Sequence, residues 1–494
     1  GTERAAGLTL TGTAEPGAQV FVSFNGTTKQ PVTADANGNW SVNFAASELP
    51  SGEISSGTAG RTISVYSVDT AGNTSATVTH TLDVDTVVRN FGFPAPDLIG
   101  AVNTGGTDAT TLNAAERAAG LPVQGTVEPG SVVTIQIGGW TQTIPASQTA
   151  NGTWSYTIPA NVLPDGSNTS ATISVTARDQ YGNVSQTLSH TIAIDTAVTN
   201  FSAANISLGS AGDGWLNAAE AAAGLPITGK AEAGSTVLVT IAGVSHSVVA
   251  DANGNWTATF TKSELPSGEV NGVVASVTAT DPAGNVSGPH NLTFNVDTIA
   301  PDHPWVTQDF GNTNIINGIA TEASTDVYTY HSVAATGAAA QISTTPEMPV
   351  TASVGGQSIA SDFVLFNTPV PDGSYLVVRS MDVAGNESST LYIRNTTAEV
   401  TVDLTRPGLQ GFDIAAIDLG ASDANLTITE SQINAITGPD KTLVIRGGAD
   451  DVVTMAGAQD TNLNQTIDGQ TYSIFTLGGT RVLVDDDIQR NGVV

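Results

Sequence analysis

Short stretches in which apolar and polar residues alternate recur along this chain, and the stretch 132–137 (VVTIQI) is a clear example. A period of two places every second side chain on the same face, which is typical of a β-strand with one buried face. These stretches are separated by Gly, Pro, Asn and Asp, which favour tight turns. The pattern therefore predicts an all-β protein with many short strands.

One turn motif between these strands occurs four times in the sequence. It reads Asp-x-x-Gly-Asn and occupies 69–73, 179–183, 281–285 and 382–386. Its aspartates are separated by 110 residues (69 to 179), 102 residues (179 to 281) and 101 residues (281 to 382). Each turn is followed by one further strand that ends in Asp. A period of about 100 residues is the size of an immunoglobulin-like β-sandwich, so the repeat predicts tandem sandwiches in an extended array.

Two further motifs recur inside the repeat. Gly-Thr-x-Glu-Pro-Gly stands at 12–17 and 125–130, with a variant at 229–234. A hairpin turn with Asn-Gly leads into Trp40, Trp154 and Trp256. Asn-Gly readily supplies the positive φ that a tight hairpin needs. We expect each tryptophan to anchor the core of its unit rather than to form a platform for sugars.

The motif positions predict five domains, because 494 residues exceed what one core can organise. We expect three Ig-like repeats, a diverged Ig-like domain and a small β-rich domain, with these boundaries: 1–87, 88–197, 198–299, 300–406 and 407–494. The first repeat opens partway into the unit, since 3–8 (ERAAGL) repeats at 116–121, and we therefore expect a fragment of a longer protein. In the last domain the pattern predicts a short helix at 430–436 and strands near 443–445, 472–475 and 482–484.

The net charge of the chain limits the classes of partner that it can bind. Lys and Arg number 15 against 46 Asp and Glu, which gives a net charge of −31. Such a surface repels nucleic acid and anionic membranes but attracts divalent cations. The chain has no cysteine and six scattered histidines, so neither disulfides nor a zinc site is expected. No apolar stretch approaches the ~18 residues of a membrane span, so no membrane insertion is expected.

Carboxylates concentrate where one predicted sandwich meets the next. From Asn73 to Asp85 is 12 residues, or roughly 40 Å at ~3.3 Å per residue. Asp69 and Asp85 should therefore lie at opposite ends of their unit. By this argument Asp85 faces the turn 179–183, and the later unit ends face the turns 281–285 and 382–386.

Calcium is the cation that these joints predict, because it takes roughly six to eight oxygen ligands from carboxylates, amides and carbonyls. We expect its removal to loosen each hinge while each sandwich stays folded. The candidate ligands come from the four turns, the unit ends and two acidic segments that precede the first strands of units two and three: Asp69, Asn73, Asp85, Asp108, Glu116, Asp179, Asn183, Asp195, Asp213, Glu220, Asp281, Asn285, Asp297, Asp382, Asn386 and Asp403.

The acidic segments 108–116 and 213–220 are expected at the same joints as Asp85 and Asp195, respectively. An alternative remains for every turn, since Asp and Asn beside Gly commonly cap their own backbone without any ion. The glutamates of the Glu-Pro-Gly and Glu-Ala-Gly turns, which are Glu15, Glu128 and Glu232, are expected to be solvated.

The motifs together resemble the bacterial Ig-like repeats of giant surface adhesins exported by type I secretion, including biofilm-associated and RTX adhesins. The resemblance covers roughly 1–405, and 407–494 resembles short domains of such adhesins through fewer residues. It implies a calcium-stiffened extender at the bacterial cell surface, with a role in cell adhesion and biofilm formation. Calcium ions and neighbouring repeats are then the partners, and host or surface glycans or proteins would be bound through other domains.

Two other functions remain open. The segment 300–494 could bind a carbohydrate or protein, which exposure of Trp305, Tyr328 and Tyr330 would favour and their burial would oppose. The chain could also be an S-layer protein or an accessory module of a secreted polysaccharide enzyme. Catalysis by this chain is not expected, because no nucleophile or phosphate-binding motif is present and its paired carboxylates recur at every joint.

Overall fold

The expected all-β class is confirmed, with many strands and a few short helices. None of the helices among the described residues is long and apolar enough to cross a membrane. The structure is a computed structural model that describes residues 2–24, 27–52, 62–96, 110–202, 205–206, 214–354, 357–437 and 442–494. Two of the predicted site residues, Asp108 and Asp213, lie outside these ranges.

Unit one packs two antiparallel sheets face to face. One sheet has the order β3-β2-β6-β7, with β4 also on β2, and the other pairs β1 with β5. A 3₁₀ turn at Ala46–Glu48 follows β5. The elements are α1 (Thr2–Ala6), β1 (Leu8–Thr13), β2 (Gln19–Phe24), β3 (Thr27–Thr28), β4 (Val32–Thr33), β5 (Asn39–Phe44), β6 (Thr62–Val68) and β7 (Val78–Thr81).

Unit two repeats this sandwich with a sheet of order β11-β10-β13-β14-β8 over the pair β12-β9. A 3₁₀ turn covers Ala146–Gln148. The elements are β8 (Thr111–Leu112), α2 (Ala114–Ala119), β9 (Leu121–Thr126), β10 (Val132–Ile137), β11 (Trp140–Ile144), β12 (Thr153–Ile158), β13 (Thr169–Arg178) and β14 (Leu188–Ile194).

Unit three has the sheet β16-β22-β21-β18-β19 over the sheet β15-β17-β20. Its 3₁₀ turn is Lys262–Glu264. The elements are β15 (Asn205–Ile206), β16 (Trp215–Leu216), α3 (Ala218–Ala223), β17 (Leu225–Lys230), β18 (Thr236–Ile241), β19 (Val244–Val249), β20 (Asn255–Phe260), β21 (Glu269–Thr280) and β22 (His290–Asp297).

A glycine faces a tryptophan across the smaller sheet of each sandwich. Gly229 pairs with Trp256, and a methyl group added at Gly229 would lie 2.5 Å from the indole ring. Unit two has the same pair between Gly125 and Trp154. Trp154 and Trp256 are buried, so the prediction that the tryptophan anchors the core is confirmed for units two and three, whereas Trp40 of unit one is half-buried. The glycine is required because the ring occupies the space where its Cβ would stand.

Two described parts of the chain before β9 contact opposite ends of the unit-two sandwich. Gly92 pairs with Thr126 at the end of the unit that faces unit one. Thr111–Leu112 instead pairs in parallel with the end of β14, at the opposite end of the unit. The helix α2 therefore lies beside unit three, one joint later than expected.

The region after residue 300 contains a four-stranded sheet of order β23-β24-β28-β27 and a ten-stranded sheet of order β26-β25-β29-β30-β31-β32-β35-β34-β33-β36. A 3₁₀ turn covers Pro407–Leu409. The first strands are β23 (Val306–Asn312), β24 (Ile315–Glu322), β25 (Val327–Val333), β26 (Ala340–Gln341), β27 (Met348–Val354), β28 (Gln357–Pro371), β29 (Tyr375–Met381) and β30 (Glu387–Val402).

The remaining elements begin after residue 406. The predicted helix and the three predicted strands of this segment are present, but the long strands on either side of α4 were not foreseen. They are β31 (Ile414–Thr427), α4 (Glu430–Ile436), β32 (Thr442–Arg446), β33 (Val452–Ile467), β34 (Gln470–Leu477), β35 (Thr480–Asp485) and β36 (Gln489–Val493).

The sheet and the core both continue across the boundary expected between residues 406 and 407. Leu391 of β30 pairs in parallel with Ile417 of β31. One apolar cluster draws Tyr375 and Leu404 from one side of that boundary and Leu443 from the other. Parallel pairing leaves no local turn signal in the sequence, which is why the alternation alone did not reveal this continuity.

A second contact across the same boundary surrounds Trp305, which is 2% exposed. Its ring packs in a cluster with Val444 and Tyr472, and the Arg446 guanidinium lies 5.2 Å from the ring centroid. The carboxyl group of Glu322 interacts electrostatically with Arg446 and Asp468. Burial raises the pKa of Glu322 to about 7, and Asp468 raises that pKa while Arg446 lowers it.

The substitution Gly229→Ala tests the glycine–tryptophan contact. The added methyl group must displace Trp256, so we expect the free energy of unfolding of unit three to fall by about 1–3 kcal/mol. Gly288→Ala is the matched control, since its Cβ would meet nothing within 4 Å. Calorimetry of the full chain should show one unfolding transition moved to lower temperature by the first substitution and no such movement with the control. Equal effects of the two substitutions would contradict the contact.

Candidate calcium sites at the domain joints

Each Asp-x-x-Gly-Asn turn is closed by its own aspartate. In unit two, the Asn183 backbone N–H donates to Asp179 Oδ1 at 2.8 Å, and Asn183 Nδ2 donates to Asp179 Oδ2 at 2.7 Å. The same pair of hydrogen bonds recurs in the other three turns. The glycine adopts a positive φ, 87° at Gly182. The hydrogen bonds of the backbone-capping interpretation are therefore present in all four turns, and calcium binding by these residues stays a prediction.

The turn of unit one shows this arrangement by itself. Asp69 is half-buried and Asn73 is exposed. The hydrogen bond from the Asn73 side chain, followed by that from its backbone, lowers the pKa of Asp69. Glu15 beside them is also exposed, as expected for a solvated glutamate.

Joint one brings together three carboxylates from two units. Asp85 ends unit one, and Glu128 and Asp179 lie in turns of unit two. One oxygen from each of the three lies within 4.8 Å of the others. Asn183 Nδ2 bridges the units by donating to Asp85 Oδ1 at 3.1 Å. The other oxygen, Asp85 Oδ2, is buried and has no hydrogen-bond partner among the described residues.

Joint two has the same construction. Asp195, Glu232 and Asp281 each place one carboxylate oxygen within 4.8 Å of the other two. Here Asn285 Nδ2 donates to the backbone carbonyl of Asp195 at 2.9 Å. Asp195 and Asp281 are both buried. The structure thus places the unit-end aspartates beside the turns that the spacing indicated, while their role as metal ligands stays a prediction.

The helices of units two and three each reach forward to the next unit. At the N-terminus of α2, Asn113 Nδ2 donates to the Ala283 carbonyl at 3.1 Å, and the Ala114 N–H donates to Asn285 Oδ1 at 2.8 Å. Glu116 accepts the Asn113 N–H at 3.0 Å and closes a capping box. The expected position of Glu116 at joint one is therefore wrong, because its helix lies at joint two.

Glu220 is displaced by one joint in the same way. Asn217 Nδ2 donates to the Ala384 carbonyl at 3.1 Å, and the Ala218 N–H donates to Asn386 Oδ1 at 2.8 Å. Glu220 caps α3 through the Asn217 N–H and so lies at joint three. It was expected at joint two, and the correction has the same cause, since β16 pairs with the end of β22.

Joint three has no glutamate at the position that Glu128 and Glu232 occupy in the other two joints. Asn386 Nδ2 still donates to the Asp297 carbonyl at 3.0 Å and to Asp382 Oδ2 at 2.9 Å. Glu128 lies four residues before the first residue of β10 (128 to 132), and Glu232 lies four residues before the first residue of β18 (232 to 236). At joint three the corresponding position, four residues before β25 (323 to 327), is Ala323. In the described part of the chain, a cluster of three carboxylates within 4.8 Å of one another is therefore found at joints one and two but not at joint three.

Asp403 does not meet a following turn. It is exposed, and its Oδ1 accepts the Thr405 N–H at 2.9 Å and the Thr405 hydroxyl at 2.6 Å. These hydrogen bonds lower the pKa of Asp403. The expectation that Asp403 forms a fourth joint is not supported by this geometry, because the chain after it continues into the ten-stranded sheet.

The glutamates of the Glu-Pro-Gly and Glu-Ala-Gly turns, Glu128 and Glu232, are the site residues that the sequence analysis missed. Glu128 was expected to be solvated, yet it is 5% exposed, so that prediction is wrong. Its Oε2 accepts the Arg89 backbone N–H at 3.1 Å, and Glu232 Oε2 accepts the Thr199 hydroxyl at 2.9 Å. A signal was available, because β10 and β13 pair with Val132 opposite Arg178. The turn before one strand and the turn after its antiparallel neighbour must then lie at the same end.

The charges at the two clusters favour a cation. Two carboxylate charges about 5 Å apart repel by about 3 kcal/mol at an effective dielectric constant near 20. At joint one the Arg89 guanidinium lies 3.9 Å from Glu128 and offsets part of this repulsion. At joint two the equivalent residue is Thr199, and no Lys or Arg of the described residues forms an ion pair with Glu232. Carboxylate oxygens and a buried oxygen without a partner suit Ca²⁺ as a hard cation.

Family models match three consecutive segments of the chain. Residues 3–83 and 217–295 match the model described as Bacterial Ig domain, and residues 117–196 match the model described as Bacterial Ig-like domain. No curated protein matches the chain. These three segments are similar to bacterial immunoglobulin-like domains, and such repeats indicate a structural, non-enzymatic protein.

Several solved structures are similar to the chain. A Ca²⁺-stabilized adhesin that helps an Antarctic bacterium reach out and bind ice is 26% identical, with 79% of this chain and 93% of that chain covered and a TM-score of 0.33. A 1.5-MDa bacterial ice-binding adhesin is 26% identical, with coverages of 60% and 93% and a TM-score of 0.32. A tetra-tandem repeat in the extending region of a large adhesion protein is 17% identical, with coverages of 78% and 94% and a TM-score of 0.25. All three TM-scores are low, so none of these likenesses fixes the arrangement of this chain.

Glu232→Gln tests the cluster at joint two. The substitution keeps the shape of the side chain but removes one of three carboxylate charges, so we expect the calcium affinity of that joint to fall by about tenfold or more. Glu15→Gln makes the same change at the equivalent exposed position of unit one and is the control. Isothermal titration calorimetry with CaCl₂ compares the two variants with the unmodified chain. If Glu232→Gln and Glu15→Gln both bind calcium as the unmodified chain does, Glu232 is not a ligand.

Proposed function

We propose that this chain is a calcium-rigidified extender segment of a bacterial cell-surface adhesin. The observation that carries the proposal is the position of the two acidic clusters. Each combines the end of one sandwich with two turns of the next, so an ion held there would restrain the angle between the units. Asp85, Glu128 and Asp179 would hold the ion of joint one, and Asp195, Glu232 and Asp281 that of joint two.

The bound ion would supply positive charge and bind oxygens from both units at once. The chain's own contacts already define the direction of approach, since Asn183 and Asn285 each link the turn of one unit to the end of the preceding unit. What the chain lacks at these joints is a charge that balances three carboxylates. Calcium binding therefore stiffens the joint, while the apolar core of each sandwich keeps the unit folded without it.

The assignment to a surface adhesin rests on the resemblance of the repeated motifs to such proteins. The same resemblance is the basis for the extracellular location, the role in cell adhesion and biofilm formation, and export by type I secretion. The tandem Ig-like domains support the extender role itself. Burial opposes the alternative of a ligand-binding segment around the aromatic residues, because Trp305 and Tyr330 are each 2% exposed.

Small-angle X-ray scattering with Ca²⁺ and with EDTA tests the proposal. We expect an extended rod in Ca²⁺ and a more flexible particle in EDTA, with the β circular dichroism spectrum unchanged because the sandwich cores do not need the ion. Identical scattering in both solutions would refute calcium rigidification. Loss of the β spectrum in EDTA would show that the ion supports folding of the units rather than the angle between them.

A further inference from the structure

The residue four positions after each unit-end aspartate lies against the glutamate of the same joint. Arg89 stands there in joint one (85 to 89) and Thr199 in joint two (195 to 199). The Arg89 N–H donates to Glu128 Oε2 at 3.1 Å, and the Thr199 N–H donates to Glu232 Oε2 at 3.4 Å. The backbone therefore contacts the two clusters in the same way, and the joints differ here in the side chain.

The two side chains bring different charges to the glutamate. Arg89 Nη2 lies 3.9 Å from Glu128 Oε1, which makes this contact an ion pair. The Thr199 hydroxyl instead donates to Glu232 Oε2 at 2.9 Å, which is a neutral donor on a carboxylate. At this one position, joint one supplies its own positive charge to the cluster and joint two does not.

The members of the ion pair differ in how firmly they are held. The Glu128 side chain is 7% exposed, whereas that of Arg89 is 49% exposed. A buried carboxylate needs a compensating charge or hydrogen bonds. A half-exposed guanidinium contributes little to stability and can turn into water at small cost. The glutamate is thus a fixed site, and the arginine is a cation that another cation can displace.

We propose that Arg89 is a tethered counter-cation that competes with calcium for Glu128, so that the residue four positions after the unit-end aspartate sets the calcium affinity of its joint. This inference rests on the proposed function, because it takes the acidic clusters as the calcium sites. Calcium must displace the guanidinium at joint one. At joint two no tethered cation opposes it, and the Thr199 hydroxyl adds an oxygen beside Glu232.

The size of the effect follows from the charges. A doubly charged ion and a guanidinium about 6 Å apart in a water-like dielectric repel by an amount equal to about a tenfold change in affinity. The repulsion is screened by salt, because the Debye length falls from about 10 Å at 0.1 M to about 3 Å at 1 M. A steric effect of the same side chain would not depend on salt in this way.

The first test removes the tethered charge from joint one. Isothermal titration calorimetry with CaCl₂ is carried out on the full chain carrying Glu232→Gln, so that joint one is the intact cluster. Adding Arg89→Gln should tighten calcium binding by about tenfold at 0.1 M NaCl and by much less at 1 M. Arg89→Lys keeps the charge and should leave the affinity within about threefold of the parent.

Arg178 provides the matched control at the same joint. Its Nη2 would lie 3.2 Å from a Cβ built on Gly182, so the side chain lies over the turn. It is exposed, and in the described part of the chain it forms no ion pair with a carboxylate. Arg178→Gln removes the same charge without removing a competitor for Glu128. It should therefore tighten calcium binding clearly less than Arg89→Gln does.

The reciprocal test adds the charge to joint two. In the full chain carrying Glu128→Gln, Thr199→Arg is compared with Thr199→Gln. Both substitutions remove the hydroxyl, so the difference between them reports the added charge. Thr199→Arg should bind calcium about tenfold more weakly than Thr199→Gln at 0.1 M NaCl, and the difference should shrink at 1 M.

Three results would overturn the inference while calcium still binds to the unmodified chain, and they leave the proposed function intact. They are unchanged affinity in Arg89→Gln, an equal gain in Arg178→Gln, and equal affinities of Thr199→Arg and Thr199→Gln. Absence of calcium binding to the unmodified chain would instead reject the proposed function and this inference together.

Discussion

The array depends on the hydrogen bonds made by the side chain of the asparagine that ends the Asp-x-x-Gly-Asn turn at each joint. At the three joints its Nδ2 donates both to the aspartate of its own turn and to the end of the preceding unit. At joints two and three its Oδ1 also accepts an N–H from the helix of the preceding unit. One amide therefore fixes a turn and a joint together. The carboxylates gather at this point because the unit end, the turn and the Glu-Pro-Gly or Glu-Ala-Gly motif all lie at one end of the sandwich.

The joints share this amide but differ in charge, and under the proposed calcium model this difference would set how far each joint depends on an ion. Joint one has the Arg89 guanidinium 3.9 Å from Glu128, whereas joint two has Thr199 at that position and, among the described residues, no Lys or Arg in an ion pair with Glu232. Joint three has Ala323 in place of the glutamate, and its downstream unit is continuous with the rest of the ten-stranded sheet. An extender built from nearly identical sandwiches can therefore have joints of unequal stiffness, set by single residues rather than by the fold.

The sequence was sufficient for features that depend on local pattern. Alternation and turn motifs predicted the sandwiches, the buried tryptophans and the pairing of Asp85 with Asp179, since the length of one strand decides which end a residue occupies. The position of Glu116 and the burial of Glu128 could not be read in the same way. The first depends on the parallel pairing of β8 with the end of β14, and the second concerns a residue type that is usually solvated in turns. Parallel pairing of β30 with β31 likewise has no local signal.

The most direct test of the account is the distribution of distances across joint two. The chain has no cysteine, so Thr143→Cys and Ser247→Cys provide two exposed spin-label sites, one in unit two and one in unit three. Pulsed electron double resonance should give one narrow distance peak in Ca²⁺ and a broad distribution in EDTA. An equally narrow peak in both solutions would contradict the central claim that calcium bound by Asp195, Glu232 and Asp281 holds the two units in line.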